Sequence, residues 1–184
     1  MDIQSLYQET LKFASAKHAL KGQKVPGTNL TYDDHISKVA TEILNAGSNT
    51  PGFDTAFAVQ VALLHDTIED TATDFQELEK LFGIEVAKAV YSLSKNDKLS
   101  KDQQMQDSLN RIKALQHEVW AVKLADRITN LQPPPSHWDN ARKIKYQKEA
   151  QLILEALGAG NAFLAKKLEQ KINEYNLYIN QQEI

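Results

Sequence analysis

The stretch Val59-Gln60-Val61-Ala62-Leu63-Leu64-His65-Asp66-Thr67-Ile68-Glu69-Asp70-Thr71 decides the fold. An apolar run ends in two metal-competent side chains and then two more carboxylates. Val61, Leu63 and Leu64 read as buried helix, because Pro51-Gly52 lies upstream and nothing nearer breaks the run. A continuous central helix is expected from about Asp54 to Asp70. On it, His65 and Asp66 project about 100° apart. Glu69 stands one turn beyond His65, and Asp70 one turn beyond Asp66. Ionised carboxylates beside a core are costly unless something positive pairs with them. Two readings follow: a divalent cation as that partner, or an ordinary helix end with a solvated acidic face.

Outward from this stretch the chain reads as helix after helix. Ile3, Leu6, Tyr7, Leu11 and Ala14 recur at helical spacing and predict a first helix over about residues 3–21. Gly22 and Pro26-Gly27 break it. A second helix is expected from Asp33-Asp34, acids that suit the positive end of the dipole, to about Ala46. Ile36, Val39, Ala40, Ile43 and Leu44 form its inner stripe, and Gly47 is its expected stop. Thr73-x-x-Gln76 predicts a capping box for a short helix that ends at Gly83. Ile84, Val86, Ala87, Val90 and Leu93 mark the next helix. A basic polar loop over residues 95–101 leads to a mostly polar helix over 102–115, expected on the surface. Residues 118–131 form the following helix, stopped by Pro133-Pro134-Pro135.

A long helix is expected over residues 138–157, ending at Gly158-Ala159-Gly160. A final packing helix within residues 161–184 carries Phe163, Leu164, Leu168, Ile172, Tyr175 and Ile179. Its stripe serves either the domain's own core or a second copy in a homodimer. No segment alternates with period two. The fold class is therefore all-α, one compact bundle of roughly eight to ten helices over residues 1–184.

The 184 residues suffice for one domain with a sizeable core rather than two. A net charge of −3 gives no reason to expect nucleic acid or an anionic membrane as the main partner. The absence of cysteine excludes disulfides, thiolate metal sites and a Cys nucleophile. Met1-Asp2-Ile3-Gln4 is not the start of a signal peptide, since no basic start precedes an apolar run. No stretch approaches the ~20 apolar residues of a membrane span. A cytoplasmic location is expected.

Two further stretches bear on the central one. Tyr32-Asp33-Asp34-His35-Ile36 opens a helix, and Val122-Lys123-Leu124-Ala125-Asp126-Arg127-Ile128-Thr129-Asn130-Leu131 lies within another. Asp126 and Asn130 are four apart and share a face, with Lys123 one turn earlier. Taken alone, such a His is more often a capping residue and such an Asp–Asn pair a solvated face. Together, His35, His65, Asp66 and Asp126 make a set of two imidazoles and two carboxylates drawn from three helices. That donor set suits Mn²⁺, Fe²⁺ or Zn²⁺, with the hard oxygens tilting it toward Mn²⁺. Separations of about 30 and 60 residues are too long for a local finger but suit a helix-bundle site.

The three stretches resemble the HD-domain phosphohydrolases, whose pattern is H…HD…D. More closely, Ala62-Leu63-Leu64-His65-Asp66-Thr67-Ile68-Glu69-Asp70-Thr71, then Phe82-Gly83, then Lys123-Leu124-Ala125-Asp126-Arg127-x-x-Asn130-Leu131, is similar to the hydrolase domain of the RelA/SpoT family. The likeness covers about residues 5–160 and leaves no room for a synthetase domain, as in the small, single-domain alarmone hydrolases. It implies Mn²⁺-dependent removal of the 3′-pyrophosphate from (p)ppGpp, with one metal per chain. It matches His35, His65, Asp66 and Asp126 to the metal ligands. Glu69 and Asp70 match the acidic pair that handles the attacking water. Asn130 matches a nucleotide-contacting position, and Tyr146 an aromatic near the substrate. Lys98 and Lys101 stand where the family faces phosphates, and Lys24 where it places a basic residue of the nucleoside pocket.

One segment departs from the family, which commonly reads Arg-Arg-Lys and then Gly-Thr-Pro-Tyr-x-x-His-Pro. Here Gly22-Gln23-Lys24 is followed by Gly27-Thr28-Asn29-Leu30-Thr31-Tyr32-Asp33-Asp34-His35-Ile36. Gln23 stands where an Arg would stack on guanine; its amide can read a base edge instead, and weaker discrimination for guanine, or a preference for adenine, is expected. Two rival functions stay open: a phosphohydrolase acting on another nucleotide, such as ppApp or a 2′- or 3′-phosphorylated nucleotide, and a nucleotide-binding regulator without catalysis.

Overall fold

The computed structural model describes residues 2–179. Ten α-helices and one 3₁₀ turn run through them: α1 (Ile3–Leu20), α2 (Asp33–Ser48), α3 (Thr55–Leu64), α4 (Thr67–Asp70), α5 (Phe75–Phe82), α6 (Ile84–Leu93), α7 (Lys101–Lys113), α8 (His117–Asn130), α9 (Asn140–Leu157), the turn Gly158–Gly160, and α10 (Ala162–Ile179). Among the described residues there is no strand, only an isolated bridge between Lys24 and Thr31. Short polar side chains start several helices by accepting a free backbone N–H of the first turn. Asp2, Asp54, Asp74 and Asp139 do so for α1, α3, α5 and α9. Asn161 does so for α10, accepting from Leu164 at 3.0 Å.

The core is built around α3. Ala58, Val59, Val61, Ala62, Leu63 and Leu64 are all fully buried, so this helix is apolar on nearly every side. It packs against α1, α2, α6 and α8. Burying each Leu or Val contributes about 1.5–3 kcal/mol, and this anchors the end of α3 where the site begins. Behind it, Leu164, Leu168, Ile172 and Tyr175 of α10 are buried in the chain's own core against α8 and α9. The C-terminal stripe thus packs into this core, and what lies past residue 179 is outside the described residues.

Four expectations are corrected. The central helix is not continuous: α3 ends at Leu64 and α4 begins at Thr67. The His65 ring donates from Nδ1 to the Ala62 carbonyl and Thr67 Oγ donates to the Leu64 carbonyl, each at 2.7 Å. Side chains therefore take carbonyls that the next helical turn would use. Gly47 does not stop α2 but lies inside it, where a Cβ would come 2.1 Å from Thr55 Oγ. It permits the close approach of α2 to the start of α3. The cap of α5 is Asp74, not Thr73. Finally, α7 is not only a surface helix, since Ser108, Leu109 and Ile112 are buried.

Candidate active site

The break after α3 turns Asp66 back beside His65. Asp66 has φ −101° and ψ 0°, and its Oδ2 lies 3.0 Å from His65 Nε2. A continuous helix would have splayed the two side chains about 100° apart. His35, on the first turn of α2, brings its Nε2 to 3.4 Å from His65 Nε2. Asp126, on α8, brings Oδ1 to 3.5 Å from His35 and 3.7 Å from His65. Asp66 Oδ2 is also 3.8 Å from His35 Nε2. His35, His65 and Asp126 form a buried group whose donor atoms all lie within 4.8 Å of one another, with Asp66 against both imidazoles.

This donor set fits a divalent cation. Donors about 2.1 Å from one ion stand roughly 3.0–3.4 Å apart at octahedral or tetrahedral angles, close to the spacings found. The supporting hydrogen bonds have the form that metal ligands need. With its Nδ1 proton on Ala62, a neutral His65 presents the Nε2 lone pair to the cluster. Asp126 accepts from Asn130 Nδ2 at 2.5 Å and from Lys123 Nζ at 3.1 Å. Asp66 accepts from the Tyr32 hydroxyl at 2.5 Å.

The electrostatics carry the same demand for positive charge. Burial alone would depress the His65 pKa, but the carboxylates of Asp66 and Asp126 outweigh it and lift the imidazole well above its ordinary value. Burial would raise the Asp66 carboxyl, yet the neighbouring His65 holds it below the carboxylate range. Burial is likewise opposed at Asp126, where Lys123 and the two imidazoles pull the carboxyl well down. The Tyr32 phenol is pushed far up by burial and by Asp66, so it stays a donor. A proton on the imidazole here does what a cation would do: it compensates two buried carboxylates.

Glu69 and Asp70 flank this cluster on α4, each held by a separate element. Glu69 is held by the residue 95 end of the loop before α7: the Lys95 backbone N–H donates to Oε2 at 2.9 Å, and Lys95 Nζ binds Oε1. Asp70 accepts from Gln23 Nε2 at 2.7 Å. Burial pushes the Asp70 carboxyl up; the Gln23 hydrogen bond opposes this, and the charges of Asp66 and Glu69 add to it. A cleft of about 580 Å³ opens over both acids. Its volume suits a nucleotide-sized ligand. Asp66, Glu69, Asp70, Lys101, Asp126, Asn130 and Tyr146 line it. His35 and His65, 5% and 2% exposed, lie behind the lining, against Asp66 and Asp126.

Three expected substrate residues stand elsewhere. Lys98 is exposed in the turn before α7, its backbone N–H held by Asn96, and it does not line the cleft. Lys24 is exposed in the bridge to Thr31 and does not line it either. Gln23 has both ends of its amide engaged, the oxygen 2.7 Å from His18 Nδ1 and the nitrogen on Asp70. In exchange, the cleft gains Tyr32, Lys95, Lys123, Arg127 and Lys145. Tyr32 is one turn before His35, and Lys123 and Arg127 flank Asp126, so local spacing could have flagged them. Lys145 precedes Tyr146. Lys95 carried no local signal, because its contact with Glu69 crosses 26 residues.

The HD-domain family profile matches residues 10–161, most of the chain and every residue of the buried cluster. The chain belongs to the HD-domain family. Within that family, a Danio rerio protein named guanosine-3′,5′-bis(diphosphate) 3′-pyrophosphohydrolase MESH1 is 34% identical over 167 residues, 88% of this chain and 89% of its own. The Homo sapiens protein of the same name is 29% identical over 93% of this chain and 95% of its own. The HD-domain fold also superposes on a solved metazoan ortholog of SpoT that hydrolyses ppGpp and plays a role in starvation responses. The TM-score is 0.78 at 28% identity, covering 94% of this chain and 96% of that one. The adjacent His65-Asp66 lies within the matched span, and the break between α3 and α4 lets both side chains face one point.

Proposed function

We propose that this HD-domain protein hydrolyses the 3′-pyrophosphate of (p)ppGpp, giving GDP or GTP and pyrophosphate. The observation that carries the reading is the cluster of His35, His65, Asp66 and Asp126 beside a separately held acid pair, with Asp66, Asp126, Glu69 and Asp70 all lining one cleft. Similarity over most of both chains to proteins named for that reaction supports the substrate. His35, His65, Asp66 and Asp126 would hold the cation, read as Mn²⁺ from its two imidazoles and two hard carboxylates. Such an ion supplies a Lewis acid for a phosphate oxygen and makes a bound water more acidic.

The chain's own residues do the rest. Glu69 and Asp70 orient the attacking water and take its proton; the upward push on Asp70 suits a group that must accept one. Lys101, Lys123 and Lys145 line the cleft and offset the charge of the departing pyrophosphate. Tyr146 presents a ring backed by the Arg127 guanidinium at 4.5 Å, a firm aromatic wall for the nucleoside. Asn130 lines the cleft but spends one amide N–H on Asp126. It therefore keeps one N–H and its carbonyl for a ligand. The protein acts on a small nucleotide in the cytoplasm. Self-association is not required to close its core, because the α10 stripe is already buried.

The test is turnover of purified protein against a nucleotide panel with Mn²⁺. Hydrolysis of ppGpp to GDP and pyrophosphate, lost in Asp126→Asn, is the expected result. Binding without turnover under any divalent metal would favour the regulator instead.

A further inference from the structure

Gln23 lies just past α1, in a turn that folds the chain back on the helix. Gly22 takes φ +61°, a conformation suited to glycine, and the Gln23 backbone N–H returns to the His18 carbonyl at 3.2 Å. This puts the Gln23 side chain between His18 and Asp70, 2.7 Å from each. A carboxylate only accepts, so the amide nitrogen faces Asp70 and the amide oxygen faces His18. His18 must then donate from Nδ1.

The surroundings of His18 enforce that arrangement. It is 1% exposed on the last turn of α1, and its ring lies 4.6 Å from the Tyr32 ring. Its Nε2 has no hydrogen-bond partner. Burial depresses its pKa, so it is neutral and carries a single N–H. Gln23 is the acceptor that uses it. The imidazole thereby locks the rotation of the amide, and the amide can present only N–H to Asp70.

The two acids of α4 are thus held by different elements and different chemistry. Glu69 accepts one hydrogen bond from the charged Lys95 ammonium and one from the Lys95 backbone N–H. Asp70 meets a neutral amide through one. A neutral donor fixes the direction of a carboxylate without neutralising it, so the group keeps its ability to take a proton. An arginine or lysine in the same place would form an ion pair and make Asp70 a weaker base.

We propose that Gln23, locked by His18, is a positioning residue that orients the Asp70 carboxylate in the cleft. The proposal rests on the reading of Asp70 as one of the two hydrolytic acids. It assigns Gln23 to the water side of the reaction rather than to the base of the nucleotide.

The experiment is steady-state kinetics of the full chain with Mn²⁺ on ppGpp and ppApp, for wild type, Gln23→Met, His18→Phe and the double variant. Gln23→Met keeps the length of the side chain and removes both hydrogen bonds. It should lower kcat about tenfold, leave KM within about twofold, and leave the ppApp-to-ppGpp ratio of kcat/KM unchanged. His18→Phe keeps the ring against Tyr32 and should lose about threefold in kcat. The double variant should be no slower than Gln23→Met alone, since His18 acts through Gln23. An unchanged kcat, a rise in KM alone, or a several-fold change in the base ratio would each overturn the proposal for Gln23. So would additive losses in the double variant. A wild type that hydrolyses neither nucleotide would instead overturn the reading of Asp70, and the proposal with it.

Discussion

His65 Nδ1 lies 2.7 Å from the carbonyl oxygen of Ala62 and donates its proton there. Together with the Thr67 hydroxyl on the Leu64 carbonyl, this bond ends α3, and it aims Nε2 at Asp66, Asp126 and His35. Metal analysis of Mn²⁺-loaded protein is expected to give about one equivalent per chain, and His65→Ala to lose it. Because the ion binds the folded state, Mn²⁺ should raise the wild-type Tm and leave that of His65→Ala unmoved. Equal metal content in the two proteins would contradict the assignment.

Glu69→Gln should keep the metal and lose roughly 10²-fold or more in kcat, the usual cost of removing a general base. Gln is nearly isosteric and still accepts the Lys95 backbone N–H that Glu69 holds at 2.9 Å. A loss of rate therefore reports on the proton and not on the fold. Retention of most of the rate would leave the water to Asp70 alone.

Lys101 and Lys98 are three residues apart, yet only Lys101 lines the cleft. Lys101→Ala should lower kcat/KM on ppGpp by roughly three- to tenfold, as expected for the loss of one exposed charge from a phosphate. Lys98→Ala should leave it within about twofold. Equal losses would show that the loop before α7 closes over the substrate.

Leu168 is fully buried on α10, far from any candidate ligand in sequence. Leu168→Ala should cost about 2–5 kcal/mol of stability in a denaturant titration. Its kcat and metal content at low temperature should match wild type. A kinetic defect without a stability defect would place α10 in the chemistry rather than in the packing.

Much of this was legible before any coordinates. Helix periodicity placed most of the elements within a few residues, because the apolar stripes of α1, α2, α6, α8 and α10 are set by one shared core. His35, His65, Asp66 and Asp126 stood out because their residue types are costly to bury together without a cation. The break at His65-Asp66 was not legible, since it comes from side chains capturing the carbonyls of Ala62 and Leu64. The place of Gly47 is not legible locally either, because its reason is Thr55 across a helix contact and not its own helix end. The partners of Glu69 and Asp70, Lys95 and Gln23, lie 26 and 47 residues away and become visible only when the chain is folded.

The decisive measurement for the assigned reaction is product analysis after incubating purified protein with ppGpp and Mn²⁺. GDP and pyrophosphate in equal amounts are expected, with neither formed by Asp126→Asn. Intact ppGpp in the presence of metal-loaded wild type, or release of orthophosphate in place of pyrophosphate, would contradict it.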